Sequence, residues 1–280
     1  MSNDSGYLKP EDYAEPRCLL CDDPYGVTPK VKSIPQQRII EKMNEYMSRR
    51  DYAGAERHLL YWLEEAKLGF DQGGELLIRN ELIGHFRKTG NKEKAFESAS
   101  EALRLLKELN FEGTISSGTT YTNIATAYNA FDENEESLKY FAKAREVYEA
   151  NGNTSPELLG GLYNNMALTN AALGNYDEAL ALYDKAIAAM DKVEGGVLEQ
   201  AITYLNIADV IVAQKGLEDA ENEIFDLLDK AYILLNAEGV KHDGYYAFVC
   251  EKCAPVFEYY GYFVAADELN QRAEEIYERD

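Results

Sequence analysis

From about residue 36 to the end, apolar and small residues recur three and four positions apart, in pairs of runs separated by short polar turns. This spacing predicts amphipathic α-helices, each with one apolar stripe to bury. Stretches rich in glycine and polar residues, such as FDQGGE and DKVEGGV, separate successive pairs and are typical of helix ends. The pattern therefore predicts an all-α chain of helical hairpins.

The hairpins repeat in sequence. The motif Tyr-x-Asn-apolar-Ala starts at Tyr121, Tyr163 and Tyr204, with spacings of 42 and 41 residues. Self-similarity at such a period indicates a solenoid, because one hairpin cannot bury its apolar face alone and must stack on neighbours. Extending this frame gives six units. In the fifth, Ala220 and Ala231 lie eleven residues apart instead of seven, which predicts one extra helical turn.

The segment YNNMALTNAALGNYDEALALYDKAI, which begins at Tyr163, resembles the tetratricopeptide repeat. The resemblance implies a right-handed superhelical solenoid of about six antiparallel hairpins over residues 36–280, with the first helices lining a concave groove. A period near 42 residues is similar to that of kinesin light chains and of Gram-positive quorum-sensing peptide receptors. The resemblance also implies a non-enzymatic protein that binds other proteins or peptides.

Residues 1–35 hold five of the seven prolines and predict an extended or irregular arm. The chain carries a formal net charge of -22, which disfavours nucleic acids and anionic membrane surfaces as partners. We find no signal peptide pattern and no apolar run long enough to span a membrane, so we expect a cytoplasmic protein. No catalytic or cofactor-binding motif occurs, and we therefore predict neither an enzyme nor a cofactor.

Asparagines recur on the first helices. Asn123, Asn165 and Asn206 lie two residues after the repeated tyrosines, and Asn80 falls one residue earlier in its unit. Resemblance to kinesin light chains and O-linked GlcNAc transferase implies a ladder that grips the backbone of an extended peptide. An amide offers both a donor and an acceptor, which suits any peptide bond. The alternative is that these amides only join neighbouring helices.

Further candidates for the floor and end of the groove are polar or charged. We expect a mostly neutral floor, with a basic group able to receive a carboxylate: Thr122, Thr126, Asn129, Asn164 and Arg87.

The four cysteines form two Cys-x-x-Cys pairs. Cys250 and Cys253 occupy the slots that Tyr163 and Met166 fill in the fourth unit, which predicts buried packing. Cys18 and Cys21 precede the repeats. A zinc site shared by all four thiolates is the alternative, because tetrahedral zinc needs four ligands.

The favoured prediction is thus a scaffold that binds an extended peptide in its groove. Three alternatives stay open: a peptide-pheromone receptor, a zinc-stabilised protein, and self-association in which the arm fills the groove of its own or a neighbouring chain.

Overall fold

A computed structural model describes residues 30–279 of the chain. These residues form twelve α-helices and no strand, paired in order into six antiparallel hairpins. The predicted right-handed solenoid of six hairpins is confirmed. The helices are α1 (Gln36–Ser48), α2 (Tyr52–Leu68), α3 (Gln72–Lys88), α4 (Lys92–Glu108), α5 (Ile115–Ala130), α6 (Asn134–Ala150), α7 (Pro156–Ala172), α8 (Tyr176–Met190), α9 (Val197–Lys215), α10 (Leu217–Leu235), α11 (Gly244–Tyr259) and α12 (Phe263–Tyr277).

The helices begin and end where the sequence supplies caps. Asp51, Asp71 and Asn91 precede α2, α3 and α4, and each side chain accepts a hydrogen bond from a backbone N–H three residues later. Gly174 and Gly261 adopt positive φ values of 77° and 85° in the turns after α7 and α11. Glycine enters this left-handed region without steric cost, so it lets the chain reverse after a few residues.

The stacked hairpins bury small residues at the predicted slots. Ala179 and Ala186 on α8 are fully or almost fully buried, and they let α8 approach α7 closely. In the fifth hairpin Ala220 and Ala231 are both fully buried on α10, which has 19 residues, whereas α8 has 15. The predicted extra turn is confirmed.

The first helices of the hairpins form the inner layer of the solenoid. From α3 to α11, each first helix directly approaches the first helix of the next hairpin, whereas neighbouring second helices contact each other less. A stack curves toward the layer whose elements lie closer together. The surface of α3, α5, α7, α9 and α11 is therefore concave, as the resemblance to the tetratricopeptide repeat implies.

Residues 30–35 run along the first hairpin without regular structure. The backbone N–H of Lys32 donates to the carbonyl oxygen of Gly69 at 2.8 Å, and that of Ile34 donates to the Asp71 carboxylate at 2.9 Å. Ile34 is buried in the same apolar cluster as Ile39. The rest of the arm, with Cys18 and Cys21, lies outside the described residues. The arm and the boundary at residue 35 stay predictions.

Candidate functional site

Two of the predicted amides join neighbouring hairpins. Nδ2 of Asn123 on α5 donates to Oδ1 of Asn80 on α3 at 3.1 Å. Asn80 in turn donates to the Leu76 carbonyl oxygen and to the Thr120 hydroxyl, both at 3.0 Å. Both N–H groups of Asn80 are thus used within the protein, and its orientation is fixed from two sides.

The same arrangement recurs two hairpins later. Nδ2 of Asn206 on α9 donates to Oδ1 of Asn164 on α7 at 3.3 Å. The Thr203 hydroxyl lies 3.2 Å from the same oxygen, and it lies 2.8 Å from the Glu199 carbonyl oxygen of its own helix, to which it can donate instead. Asn164 is only 9% exposed. A buried amide whose oxygen accepts from a neighbouring helix is well ordered, and its partner Asn206 is therefore held in place as well.

Hydrogen bonding between hairpins leaves part of each amide free. Within residues 30–279, Asn123 and Asn206 each use one N–H and retain the other N–H together with the carbonyl oxygen. Asn165 differs, because only its backbone carbonyl takes part in a side-chain hydrogen bond, with Thr169. The two interpretations made from the sequence are therefore compatible: the ladder joins the hairpins and still offers donors and acceptors.

A cavity of about 760 Å³ opens beside Asn165, between the N-terminal halves of α7, α9 and α11. Its walls include Asn164 and Asn165, Gly161 on α7, and Tyr245 and Lys252 on α11. Its polar and apolar linings are mixed. Such a cavity can take a side chain whose backbone is held by the neighbouring amides.

Tyr245 and Glu199 face each other in this cavity. The Tyr245 hydroxyl donates to the Glu199 carboxylate. Desolvation by the surrounding protein, and secondly the charge of Glu199, raise the pKa of Tyr245, so the phenol stays protonated and remains a donor. The contact joins α9 to α11 across the cavity and positions the Tyr245 ring, which is about half exposed.

The charged side chains of the inner layer have an environment typical of a concave surface. Glu81 on α3 and Arg87 near the end of α3 keep access to solvent. Nevertheless, the surrounding protein raises the pKa of Glu81 and lowers the pKa of Arg87, in both cases through desolvation. Desolvation also raises the pKa of Asp209, which accepts from the Tyr260 hydroxyl at 2.8 Å. Charges inside the groove are therefore screened less than charges on the outer surface.

The remaining predicted residues lie at three different places. Thr122 donates to the Gly118 carbonyl oxygen of its own helix and lies beside the Tyr148 hydroxyl, whereas Thr126 donates to the Asn123 carbonyl oxygen. Asn129 donates to Oδ1 of Asn134 at 2.7 Å and so spans the turn between α5 and α6. Arg87 is exposed near the end of α3.

The prediction for the second cysteine pair is confirmed: Cys250 and Cys253 are 0% and 1% exposed in the core of the last hairpins. Burial raises the pKa of the Cys253 thiol to about 12, which favours the neutral thiol. Among residues 30–279, no three His, Cys, Asp or Glu side chains lie close enough together to hold a metal ion. Cys18 and Cys21 lie outside this range, and the zinc alternative stays a prediction.

Gly84 on α3 and Gly161 on α7 are features of the inner layer that the sequence analysis missed. Both lie inside helices, and a Cβ atom built on either would meet nothing within 4 Å. A glycine in a helix interior destabilises the helix by about 1 kcal/mol relative to alanine. At these two positions no neighbouring atom lies close enough to exclude a side chain. Glycine within a helical pattern was the signal that could have identified them. Tyr245 gave no such signal, because tyrosines are frequent in this chain.

Comparisons with known proteins agree with this architecture. Models of the tetratricopeptide repeat match residues 118–150 and 158–224. Comparison with curated protein sequences yields no significant match. In the part of the chain that the structure describes, no helix is both long and apolar enough to cross a membrane.

Solved structures share the fold at low identity. BtubC (BKLC) from P. vanneervenii is 17% identical, with a TM-score of 0.52 over 87% of this chain and 91% of that chain. A P. anserina protein described as a kinesin light chain with nearly identical TPR-like repeats is 16% identical, with a TM-score of 0.50 over 71% and 92%. A Rap protein complexed with Competence and Sporulation Factor is 13% identical, with a TM-score of 0.54 over 88% and 77%.

Proposed function

We propose that this chain is an interaction scaffold whose concave groove binds an extended peptide or partner segment. The proposal starts from its family, because the chain is a tetratricopeptide-repeat protein with long repeats similar to those of kinesin light chain. The family supports a role in protein interaction, and concave solenoid surfaces are used for binding. Our proposal goes beyond this general role in naming the groove as the binding site and an extended peptide as the bound partner.

The observation that carries the proposal is the unused hydrogen-bonding capacity of the inner layer. Asn123 and Asn206 each keep one N–H and one carbonyl oxygen, and the Asn165 amide is unused among the described residues. A peptide bond has one donor and one acceptor, so each such amide can pair with the backbone of a guest of any sequence. Because neighbouring hairpins already orient Asn123 and Asn206, binding costs less side-chain entropy.

The cavity beside Asn165 and the two bare helix positions support the same proposal. At Gly84 and Gly161 a guest backbone can approach the helix without meeting a side chain. The Rap protein, which has a similar fold, was solved in complex with Competence and Sporulation Factor. At least one protein of this fold therefore binds a partner.

The decisive experiment compares two triple variants on an array of random 15-residue peptides. Asn123→Ala, Asn165→Ala and Asn206→Ala together should weaken the binding of every peptide that the wild type retains, with unchanged helicity by circular dichroism. The matched control replaces Asn153, Asn222 and Asn270, which lie in a loop and on exposed surfaces of second helices, and it should bind like the wild type. Equal binding by both variants contradicts the proposal.

A further inference from the structure

The two ends of the solenoid contact each other. Nη2 of Arg50, in the turn of the first hairpin, donates to the Glu251 carboxylate on α11 at 2.7 Å, although the two residues are 201 positions apart. The Arg50 guanidinium also lies over the Tyr277 ring, 4.4 Å from its centroid, and the Tyr277 hydroxyl donates to the other oxygen of Glu251 at 3.2 Å. We name Arg50, Glu251 and Tyr277 the end contact.

Two further pairs of residues near the end contact bring the start of the solenoid close to its last hairpin. A Cβ atom built on Gly244 would lie 3.8 Å from Cβ of Ser48. Nζ of Lys88 lies 5.6 Å from the centroid of the Phe248 ring and 5.2 Å from that of Tyr52. Lys88 therefore joins the first, second and last hairpins through two aromatic rings.

We infer that the groove is a closed channel, and that the partner it fits is an extended chain segment which enters by threading a free end or by opening the end contact. The identity of the bound segment rests on the proposed function, whereas the closure of the channel does not depend on it. The six hairpins bend far enough for the last to meet the first, so the inner layer faces itself on all sides. A folded domain cannot lie across such a surface.

The end contact is built to open. Arg50 and Glu251 are each about half exposed, and ion pairs at such positions contribute little because water and salt screen them. Among the described residues, no apolar core cluster contains residues of both the first and the last hairpin. The identified contacts between the two ends are an ion pair, a hydrogen bond and cation–aromatic contacts, without a shared apolar core, so the closed form can exchange with an open form of similar free energy.

A disulfide trap tests closure without any guest. The Cβ separation of 3.8 Å between positions 48 and 244 suits a disulfide. In a Cys18→Ser, Cys21→Ser background, Ser48→Cys with Gly244→Cys should cross-link under mild oxidation, as shown by mass spectrometry of the linked peptides. Ser48→Cys with Gly152→Cys, a loop position between α6 and α7, is the matched control and should stay reduced. Failure of the first pair to cross-link overturns closure.

Charge reversal gives a second measurement that does not depend on the disulfide. Arg50→Glu or Glu251→Arg alone should increase the radius of gyration measured by small-angle X-ray scattering, because like charges then face each other. The double swap should restore the wild-type value. Raising salt from about 0.01 M to about 1 M shortens the Debye length from about 30 Å to about 3 Å, and should move the wild type toward the open variants. Identical scattering of all variants contradicts the inference.

The route of entry is tested with a peptide selected on the reduced protein from the random array. With free ends it should bind both the reduced and the cross-linked protein. Fused at both ends to a small folded domain, it should bind only the reduced protein. Equal binding of the fusion to both forms overturns the channel. If no peptide binds either form, the proposed function fails, whereas the cross-linking result still decides whether the solenoid is closed.

Discussion

Asn123 donates a hydrogen bond to the side chain of Asn80, which lies 43 residues earlier and one hairpin away. Asn206 and Asn164 repeat this relationship at a separation of 42 residues, close to the period of the repeat. An amide at such a position donates one N–H to its neighbour, and its other side-chain polar atoms have no hydrogen-bond partner among the described residues. Under the proposed function, the same row of side chains contributes to both stability and recognition, and variants must be chosen to separate the two contributions.

Two adjacent asparagines on α7 allow that separation. Asn164→Ala removes the acceptor of Asn206, whereas the Thr203 hydroxyl keeps the Glu199 carbonyl oxygen, so we expect a loss of about 1 kcal/mol of unfolding free energy. Asn165→Ala removes no side-chain hydrogen bond within residues 30–279, so the unfolding free energy should change by less than about 0.5 kcal/mol. Urea denaturation measures both variants.

Binding to the peptide array should rank these two variants in a different way. Asn165→Ala should weaken binding at wild-type stability, because the amide faces the cavity. If Asn165→Ala binds normally and is as destabilised as Asn164→Ala, this side chain has a structural role, contrary to the proposal.

Two glycines of the first helices should respond in opposite ways to alanine. At Gly118 the new Cβ would lie 2.2 Å from Cε1 of the buried Tyr148 ring, so Gly118→Ala should lower the unfolding free energy by about 1–3 kcal/mol. At Gly161 nothing lies within 4 Å, and Gly161→Ala should raise it by about 1 kcal/mol through helix propensity. Thermal denaturation should show a lower melting temperature for Gly118→Ala and a higher one for Gly161→Ala.

The more stable variant is also informative for function. If a guest backbone passes over Gly161, then Gly161→Ala should weaken peptide binding while it raises the melting temperature. Improved stability with unchanged affinity would show that this stretch of the helix is not approached by a guest.

The hairpin fold could be predicted from the sequence because its determinants are local. Alanines such as Ala179 and Ala186 follow the helical period, and caps such as Asp71 and turns such as Gly174 mark the helix ends. Even the extra turn of α10 is visible as a changed spacing of Ala220 and Ala231. Each of these signals acts within one or two turns of helix, where sequence and structure are closely coupled.

The site could be predicted only in part, because its geometry depends on how far the stack curves. The row containing Asn123 and Asn206 follows from the repeat. Which of the two adjacent amides on α7 would be buried does not: the repeat puts Asn165 in the same row as Asn123 and Asn206, yet the structure buries Asn164 as the acceptor of Asn206. The contact of Arg50 with Glu251 depends on the summed rotation of six hairpins, and no local pattern encodes that sum.

Two buried tyrosines on second helices provide a test of hydrogen bonding in the core. The Tyr148 hydroxyl is paired with the Thr119 hydroxyl at 2.9 Å, whereas the buried Tyr183 hydroxyl has no hydrogen-bond partner among the described residues. Tyr148→Phe should therefore lower the unfolding free energy by about 1 kcal/mol. Tyr183→Phe should leave it unchanged or raise it, since it removes an unsatisfied polar group. A larger loss for Tyr183→Phe than for Tyr148→Phe in urea denaturation would contradict this assignment.

His85 should make the protein less stable as the pH falls below the ordinary histidine pKa of 6.5. The ring is buried on α3, and burial lowers its pKa; the Glu56 carboxylate on α2 opposes this shift, whereas Lys94 on α4 adds to it. The unfolded chain therefore binds a proton at a higher pH than the folded protein does, and the unfolding free energy rises with pH in the range below 6.5.

The raised pKa values of Glu81 and Asp209 have the opposite effect, so the comparison must be made against a variant. Between pH 6.5 and pH 4.5, the ordinary value for glutamate, His85→Leu should lose less stability than the wild type in urea denaturation, because it removes the group whose protonation favours unfolding. Parallel pH profiles for the two proteins would show that His85 titrates alike in the folded and unfolded chains, contrary to its burial.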